Sequence, residues 1–437
     1  MPDNGNKTRP VRTLTVKNFS VIKEAKLEFG KITVLIGPQS SGKSLLCRLA
    51  FFFQQIVVEQ AQEAIKAAEE FEQLEKRVND AFFFWFSYDA IATETSEIRF
   101  RAGSYEVSHV QERRGAPGGG LIWRFSPEFE ESYRIVWGKL NSEKVRRESL
   151  PNPKFFAEEI RDRLSELRGP DSPEIYSYIP STRSFFLSIH QAILGMAGRR
   201  DDIQLRFSQD FNYGFESRIP KAGLDHPLTQ WINAEGERLL QGKVISMGAD
   251  YHFVSAEGRT LPLPVLSSGT QELLPLMTCL REYVAASAAV AKTLELPHAL
   301  HKRLFFLEEP ESNVFPSTQY SLVRIFARMA NEPVLDAYWV ITTHSPYVLT
   351  SFNNLIEAGQ AARNNPRLHD RVAKIVPEQY WIKEGDFKAY AIEDGELKSI
   401  LNESGFVEGN YLDQVSEVIG NEFDELLRLE YEHTKAS

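Results

Sequence analysis

The stretch GPQSSGKS, Gly37 to Ser44, fits the pattern G-x-x-x-x-G-K-[ST] in full. It stands between an apolar strand-like run, Ile32–Ile36, and an apolar helical segment, which is the context such a loop needs. Small residues let backbone N–H groups close around phosphates, and the helix N-terminus adds partial positive charge. Gly37, Pro38, Gln39, Ser40, Ser41, Gly42, Lys43, Ser44 and Leu45 are therefore the candidate nucleotide-binding residues. Lys43 would reach the β- and γ-phosphates, and the Ser44 hydroxyl would ligate Mg²⁺.

Three further stretches carry chemistry. LFFLEEPE, Leu304–Glu311, puts two carboxylates at the tip of an apolar strand. Buried unpaired acids are costly, so they belong at a site edge beside a cation. Glu308 would stand near Mg²⁺ and Glu309 would polarise an attacking water; an exposed acidic turn is the plainer reading. VLSSGTQELLPL, Val265–Leu276, opens a helix with hydroxyls and a glycine, an anion site built from Ser267, Ser268 and Gly269. The same letters also read as an ordinary N-cap, with Ser268 the cap and Gln271 at the capping-box position. VITTHSPYVL, Val340–Leu349, ends a buried strand on His344, which could hydrogen-bond a γ-phosphate or the water.

The elements that must position these residues follow from periodicity. RTLTVKNFSVI alternates, and EAKLEFGKITVLIG continues with a turn at Gly30 and a second apolar run. After the loop, Phe53, Val57, Ala61, Ile65, Ala68, Phe71, Leu74 and Val78 recur at helical spacing. From about Glu94 to Val136 the text reads as β-pieces: SEIRFRAGSYEVSHV, GAPGGGLIWRF with a loop at Gly118–Gly120, and ESYRIVWGKL. A charged helix is expected over Pro153–Arg168, with Phe156, Ile160, Leu164 and Leu167 on one face. EIYSYIPSTRSFF reads as a buried strand and turn, followed by a helix-rich region to about Gln241. A hairpin at YHFVSAEGRTLPLP precedes the helix QELLPLMTCLREYVAASAAVAKTL. The tail QYWIKEGDFKAYAIEDGELKSI holds another alternating pair, and an amphipathic helix ends the chain. The expected division is 1–93 and 246–437 as two parts of one head, with 94–245 inserted between them.

Composition narrows the class. The chain has 437 residues, 42% hydrophobic and 25% charged, an ordinary globular balance too large for one simple core. No apolar run reaches the roughly 18 residues that span a membrane, and the first residues lack the apolar region of a secretory signal. Two cysteines, Cys47 and Cys279, read as buried apolar residues in a cytoplasmic protein and leave no cysteine-based zinc site. A net charge of −10 argues against indiscriminate nucleic-acid binding. The basic clusters KVRRES and GRRDD read as solvated helix ends.

The order of the four stretches resembles the ABC-type ATPase heads. The wording of VKNFSVIKEAKLEFGKITVLIGPQSSGKS, YIPSTRS, LSSGTQELLPL, LEEPESNVFP and TTHSPYVL is similar to the soluble RecF/SMC-like ATPases. That group includes the overcoming-lysogenisation-defect nucleases and the ATPase subunits of anti-phage systems such as PARIS and Septu. The likeness covers about Arg12–Ala68 and Leu261–Leu427; between them only YIPSTRS carries it. It implies an α/β fold: a P-loop NTPase head, a mixed β-sheet flanked by helices, with a helical and β insertion in the middle. It further implies that the head dimerises head to tail on ATP and Mg²⁺. Lys43, Ser44, Glu308, Glu309 and His344 of one copy would then face Ser267 and Gly269 of the other. Asn313 falls where the family's dimer-crossing loop follows the acidic strand.

Departures are informative. LSSGT replaces the transporter LSGGQ, and Glu308 stands where most P-loop proteins use Asp. Gln54, Gln55 and Gln111 all compete for the family's Q-loop position, and Arg183 is open between a place near the nucleotide, a place between lobes and a structural salt bridge. No nuclease module follows His344. The resemblance therefore implies a regulatory ATPase that controls a separate effector, a nuclease or toxin, in response to DNA or a phage protein. The alternative it allows is a DNA-repair ATPase that binds duplex directly.

Overall fold

The computed structural model describes residues 11–86, 95–111, 121–146, 152–185, 187, 206–207, 221–247, 250–408 and 422–424. The loop at Gly118–Gly120, the GRRDD cluster and nearly all of the expected terminal helix lie outside the described residues.

The chain opens with the hairpin β1 (Thr13–Phe19) and β2 (Ile22–Glu28), then β3 (Ile32–Ile36). Helix α1 (Lys43–Phe51) runs through a π-turn, Phe52–Ile56, into α2 (Val57–Ala67). Ala68 in the left-handed region (φ 57°) breaks the helical pattern before α3 (Phe71–Phe86). The π-turn spoils the normal carbonyl ladder, and two side chains repair it. The Tyr105 hydroxyl donates to the Phe53 carbonyl at 3.0 Å, and Arg168 donates to the Gln54 carbonyl at 2.8 Å.

Next come β4 (Ser96–Ala102), β5 (Tyr105–Gln111), β6 (Leu121–Phe125), α4 (Pro127–Arg146), α5 (Pro153–Arg168) and β7 (Ile175–Ile179). The segment ESYRIVWGKL lies inside α4 and is not a strand. Pro127 at the first position and Glu128 and Glu130 in the first turn start a helix. Phe129, Tyr133, Val136 and Leu140 then bury at helical spacing, which outweighs the local alternation. Then come α6 (Pro227–Leu240), β8 (Gly242–Met247), β9 (Asp250–Ser255), β10 (Thr260–Pro262) and α7 (Ser268–Thr293). They are followed by β11 (Arg303–Glu308), α8 (Pro316–Asn331), β12 (Ala337–Thr343), α9 (Pro346–Asn364), β13 (Phe387–Glu393) and β14 (Glu396–Ser399).

One 11-stranded mixed sheet has the order β6-β5-β4-β1-β2-β14-β13-β3-β12-β11-β7. The block β13-β3-β12-β11-β7 is parallel throughout. Its strands are near-continuous apolar runs because helices cover both faces. Alternation along β11 sends Leu304 and Phe306 to the core under α1–α5, and Phe305 and Leu307 to the core under α6–α9. Helix α7 is long and apolar enough by composition to cross a membrane, yet 67% of that window is buried inside the protein. It is a core helix.

Candidate nucleotide site

Strand β3 stops at Ile36 and α1 starts at Lys43, so the loop between them rests on the sheet edge. Two glycines are required by close approach. A Cβ on Gly37 would stand 2.7 Å from the Ile392 carbonyl oxygen. On Gly42, which also has φ 107°, it would stand 2.4 Å from the Ile22 side chain. Pro38, Gln39 and Ser40 are exposed, while Ser41, Ser44 and Leu45 are half-buried. The Ser41 hydroxyl oxygen is buried without a hydrogen-bond partner. The Lys43 ammonium folds back, donating to the carbonyls of Gly37 (2.8 Å) and Pro38 (2.7 Å). Desolvation lowers its pKa, and the negative charges of Glu309 and Glu311 act against that.

The acid turn follows β11. The Glu308 carboxylate is buried and accepts from the Tyr178 hydroxyl (2.7 Å), the Ser181 amide (3.1 Å) and the Ser181 hydroxyl (3.4 Å). Arg48 of α1 stands 4.0 Å away. No hydrogen bond joins Glu308 to Ser44, so the two expected metal ligands are not in direct contact. Glu309 is left-handed at φ 44°, with its amide donating to the Thr342 carbonyl at 2.9 Å. Its carboxylate lies 3.5 Å from the His344 Nε2 and accepts from the Ser312 hydroxyl at 3.2 Å.

The third acid of the same turn, Glu311, carries no assignment on sequence grounds. It accepts the His344 amide at 2.5 Å, and its other oxygen is buried without a partner. Burial pushes its carboxyl pKa up. A third Glu two residues after Glu309 was the available signal. Lys43, Glu309, Glu311 and His344 thus converge at the edge where β3, β11 and β12 all end.

Ser267 and Ser268 are exposed and Gly269 is half-buried at the start of α7. The cap is Ser267, one residue before the position expected, and its hydroxyl accepts from the Thr270 amide at 3.3 Å. Gln271 donates instead to the carbonyls of Pro264 and Leu266, both at 2.9 Å, because the preceding turn brings them within reach. A Cβ on Gly269 would meet the Asn313 carbonyl oxygen at 2.7 Å. No hydrogen bond or ion pair joins these three residues to Lys43, Glu309 or His344.

The glutamines separate clearly. Gln54 is buried in the π-turn and donates to the Ala50 carbonyl, and Gln55 donates to Glu59. Gln111 ends β5, which runs in the same direction as β3, and so lies at the loop's edge of the sheet. Its side-chain oxygen is buried without a partner. Arg183 sits between the acid turn and α7 and forms the salt bridge with Glu272, at 3.2 Å.

A family model described as AAA domain, putative AbiEii toxin, Type IV TA system, matches residues 32–350, from β3 to the start of α9. The chain belongs to this family. The matched span carries the P-loop, the acid turn and His344. Nothing among the curated proteins matches the chain. Among solved structures, an Smc head bound to the C-winged-helix domain of ScpA is 11% identical. It covers 90% of this chain and 97% of its own, with a TM-score of 0.41. The SMC head domain from Thermotoga maritima is 12% identical over 90% and 99%, with a TM-score of 0.37. MJ1267, an ATP-binding cassette of an ABC transporter in its ADP conformation, is 10% identical over 93% and 97%, with a TM-score of 0.32.

The residues present suit a nucleotide. Two glycines let the loop pack closely on β13 and the β1–β2 turn, and a lysine and an orphaned hydroxyl sit in it. Among the described residues, no three His, Cys, Asp or Glu are grouped to hold a metal alone.

Proposed function

We propose that this chain binds and hydrolyses ATP at a site completed by a second copy, and that the cycle controls a separate effector protein. The observation that carries this reading is the Glu309 carboxylate 3.5 Å from the His344 imidazole, at the sheet edge that holds Lys43. Lys43 would donate its third N–H to a phosphate oxygen. The backbone of Gly37–Leu45 would cradle those phosphates. Glu309 would orient the attacking water and take its proton, while His344 fixes the carboxylate and reaches the γ-phosphate. Ser44 and Glu308 would hold Mg²⁺, which neutralises charge on the phosphate oxygens. Gln111, at the same edge, would fill the Q-loop place. The exposed Ser267–Gly269 helix start would close over the nucleotide of the partner copy.

The family description supports a toxin–antitoxin-like setting, and anti-phage defence with a nuclease or toxin as the controlled protein follows from the motif resemblance. Purified protein should hydrolyse ATP in a Mg²⁺-dependent way. Lys43→Ala and Glu309→Gln should each lower kcat by about 100-fold or more. Glu309→Gln should also elute as an ATP-dependent dimer in size exclusion. Undiminished turnover in Glu309→Gln would overturn the assignment.

A further inference from the structure

Arg183 is the most heavily bonded buried cation near the site. Its side chain is wholly buried. Nε donates to the Glu272 carbonyl at 3.1 Å and lies 3.2 Å from the Glu272 carboxylate. Nη1 donates to the carbonyls of Pro180 (3.2 Å) and Glu308 (2.7 Å), and Nη2 to the carbonyl of Glu309 (2.9 Å). A guanidinium taken out of water is tolerated only when its donors are matched, and here the acceptors include the backbone oxygens of Glu308 and Glu309.

These bonds hold Glu309 in a left-handed backbone that a side-chain-bearing residue seldom adopts. Such a conformation persists when its surroundings over-determine it. Thr342 fixes its amide and Arg183 fixes its carbonyl. A second tie joins the same two elements: Gly269 packs on the Asn313 carbonyl so closely that a Cβ would stand at 2.7 Å. Gly269 and Glu272 are three residues apart, so one face of α7 makes both contacts.

We infer that Arg183 is a positioning residue that makes the acid turn and the start of α7 move as one body. This rests on the two-copy site of the proposed function. In that arrangement each copy gives its acid turn to one nucleotide and its α7 start to the other. A rigid tie between them carries occupancy of one site to the geometry of the second. The two ATP sites therefore act cooperatively, and the Arg183–Glu272 pair sets the strength of the coupling.

The test uses the full chain and ATP turnover measured against ATP concentration. Wild type should give a Hill coefficient between about 1 and 2, the ceiling for two sites. Glu272→Gln keeps size and the backbone acceptor but removes the charge. Arg183→Lys keeps charge but cannot span the four backbone acceptors. Both should bring the coefficient to about 1 while kcat falls less than about 10-fold. A thermal melt confirms folding, and if Arg183→Lys does not fold, Glu272→Gln decides alone. An unchanged coefficient in folded Glu272→Gln, or a wild-type coefficient of about 1, overturns the coupling. Glu309→Gln separates the two readings. If it dimerises on ATP while the coefficients stay equal, only the coupling falls. If it never dimerises, the two-copy site falls and the coupling with it.

Discussion

Two hydrogen bonds of 2.7 and 2.8 Å hold the Lys43 ammonium on its own loop, and its third N–H is left for a phosphate oxygen. The loop can do this only while its backbone stays close to the β1–β2 turn and β13. Gly42→Ala adds a methyl 2.4 Å from Ile22 at φ 107°. It should weaken binding of a fluorescent ATP analogue by more than about 10-fold, from roughly 1–3 kcal/mol of backbone strain. Glu311 offers a finer test, because one oxygen accepts the His344 amide and the other has no partner. Glu311→Gln retains the acceptor and should keep most of the stability. Glu311→Ala leaves a buried amide unpaired and should cost about 1–3 kcal/mol in a urea titration. Comparable losses in the two variants would show that the charge, and not the hydrogen bond, matters.

At the scale of elements, β4–β6 and α3 enclose an aromatic cluster with a histidine inside it. His109 stacks on Phe82 at 4.4 Å and lies 4.7 Å from Trp123, with both ring nitrogens unpartnered. Burial pushes its pKa down to about 4, against 6.5 for the free side chain. The unfolded chain therefore takes up a proton first. Stability present above pH 6.5 is lost as the pH falls toward 4, by about 2 kcal/mol at pH 5. Urea midpoints at pH 7 and pH 5 should show this slope, and His109→Phe should flatten it; an equal slope in both proteins would discard the explanation. Local pattern made the loop, the acidic strand, His344 and most strands readable, since apolar runs and small-residue loops are short-range signals. It failed where partners are distant. Glu308 is held by Tyr178, 130 residues away in sequence, and Arg183 reaches Glu272 across 89. The misread of ESYRIVWGKL has the same root: Tyr133 and Val136 bury against α2 and α3 neighbours that no local window contains.

On the whole molecule, three large apolar side chains stand out around the site. Phe315 is 76% exposed, Val265 64% and Tyr347 56%. Each lies within three residues of Asn313, Ser267 or His344, where a second copy would press. Phe315→Asp should not lower the melting temperature, because nothing is unburied and Asp is a favoured cap at the start of α8, yet it should weaken the ATP-dependent dimer of Glu309→Gln by more than about 10-fold. A dimer as tight as before, measured by analytical ultracentrifugation, would move the contact face elsewhere. The strand order has a consequence in time. Strand β13 lies between β3 and β14, so residues near the chain's far end are seated in the middle of strands made first. At ribosomal speed, β3 waits roughly 20–70 s for that neighbour. During this interval the phosphate loop has no Ile392 carbonyl to rest on, and until β11 is made it has no acids beside it. A nascent or truncated chain without β13 therefore lacks the support on which the loop is built, and partly made copies carry an unfinished site.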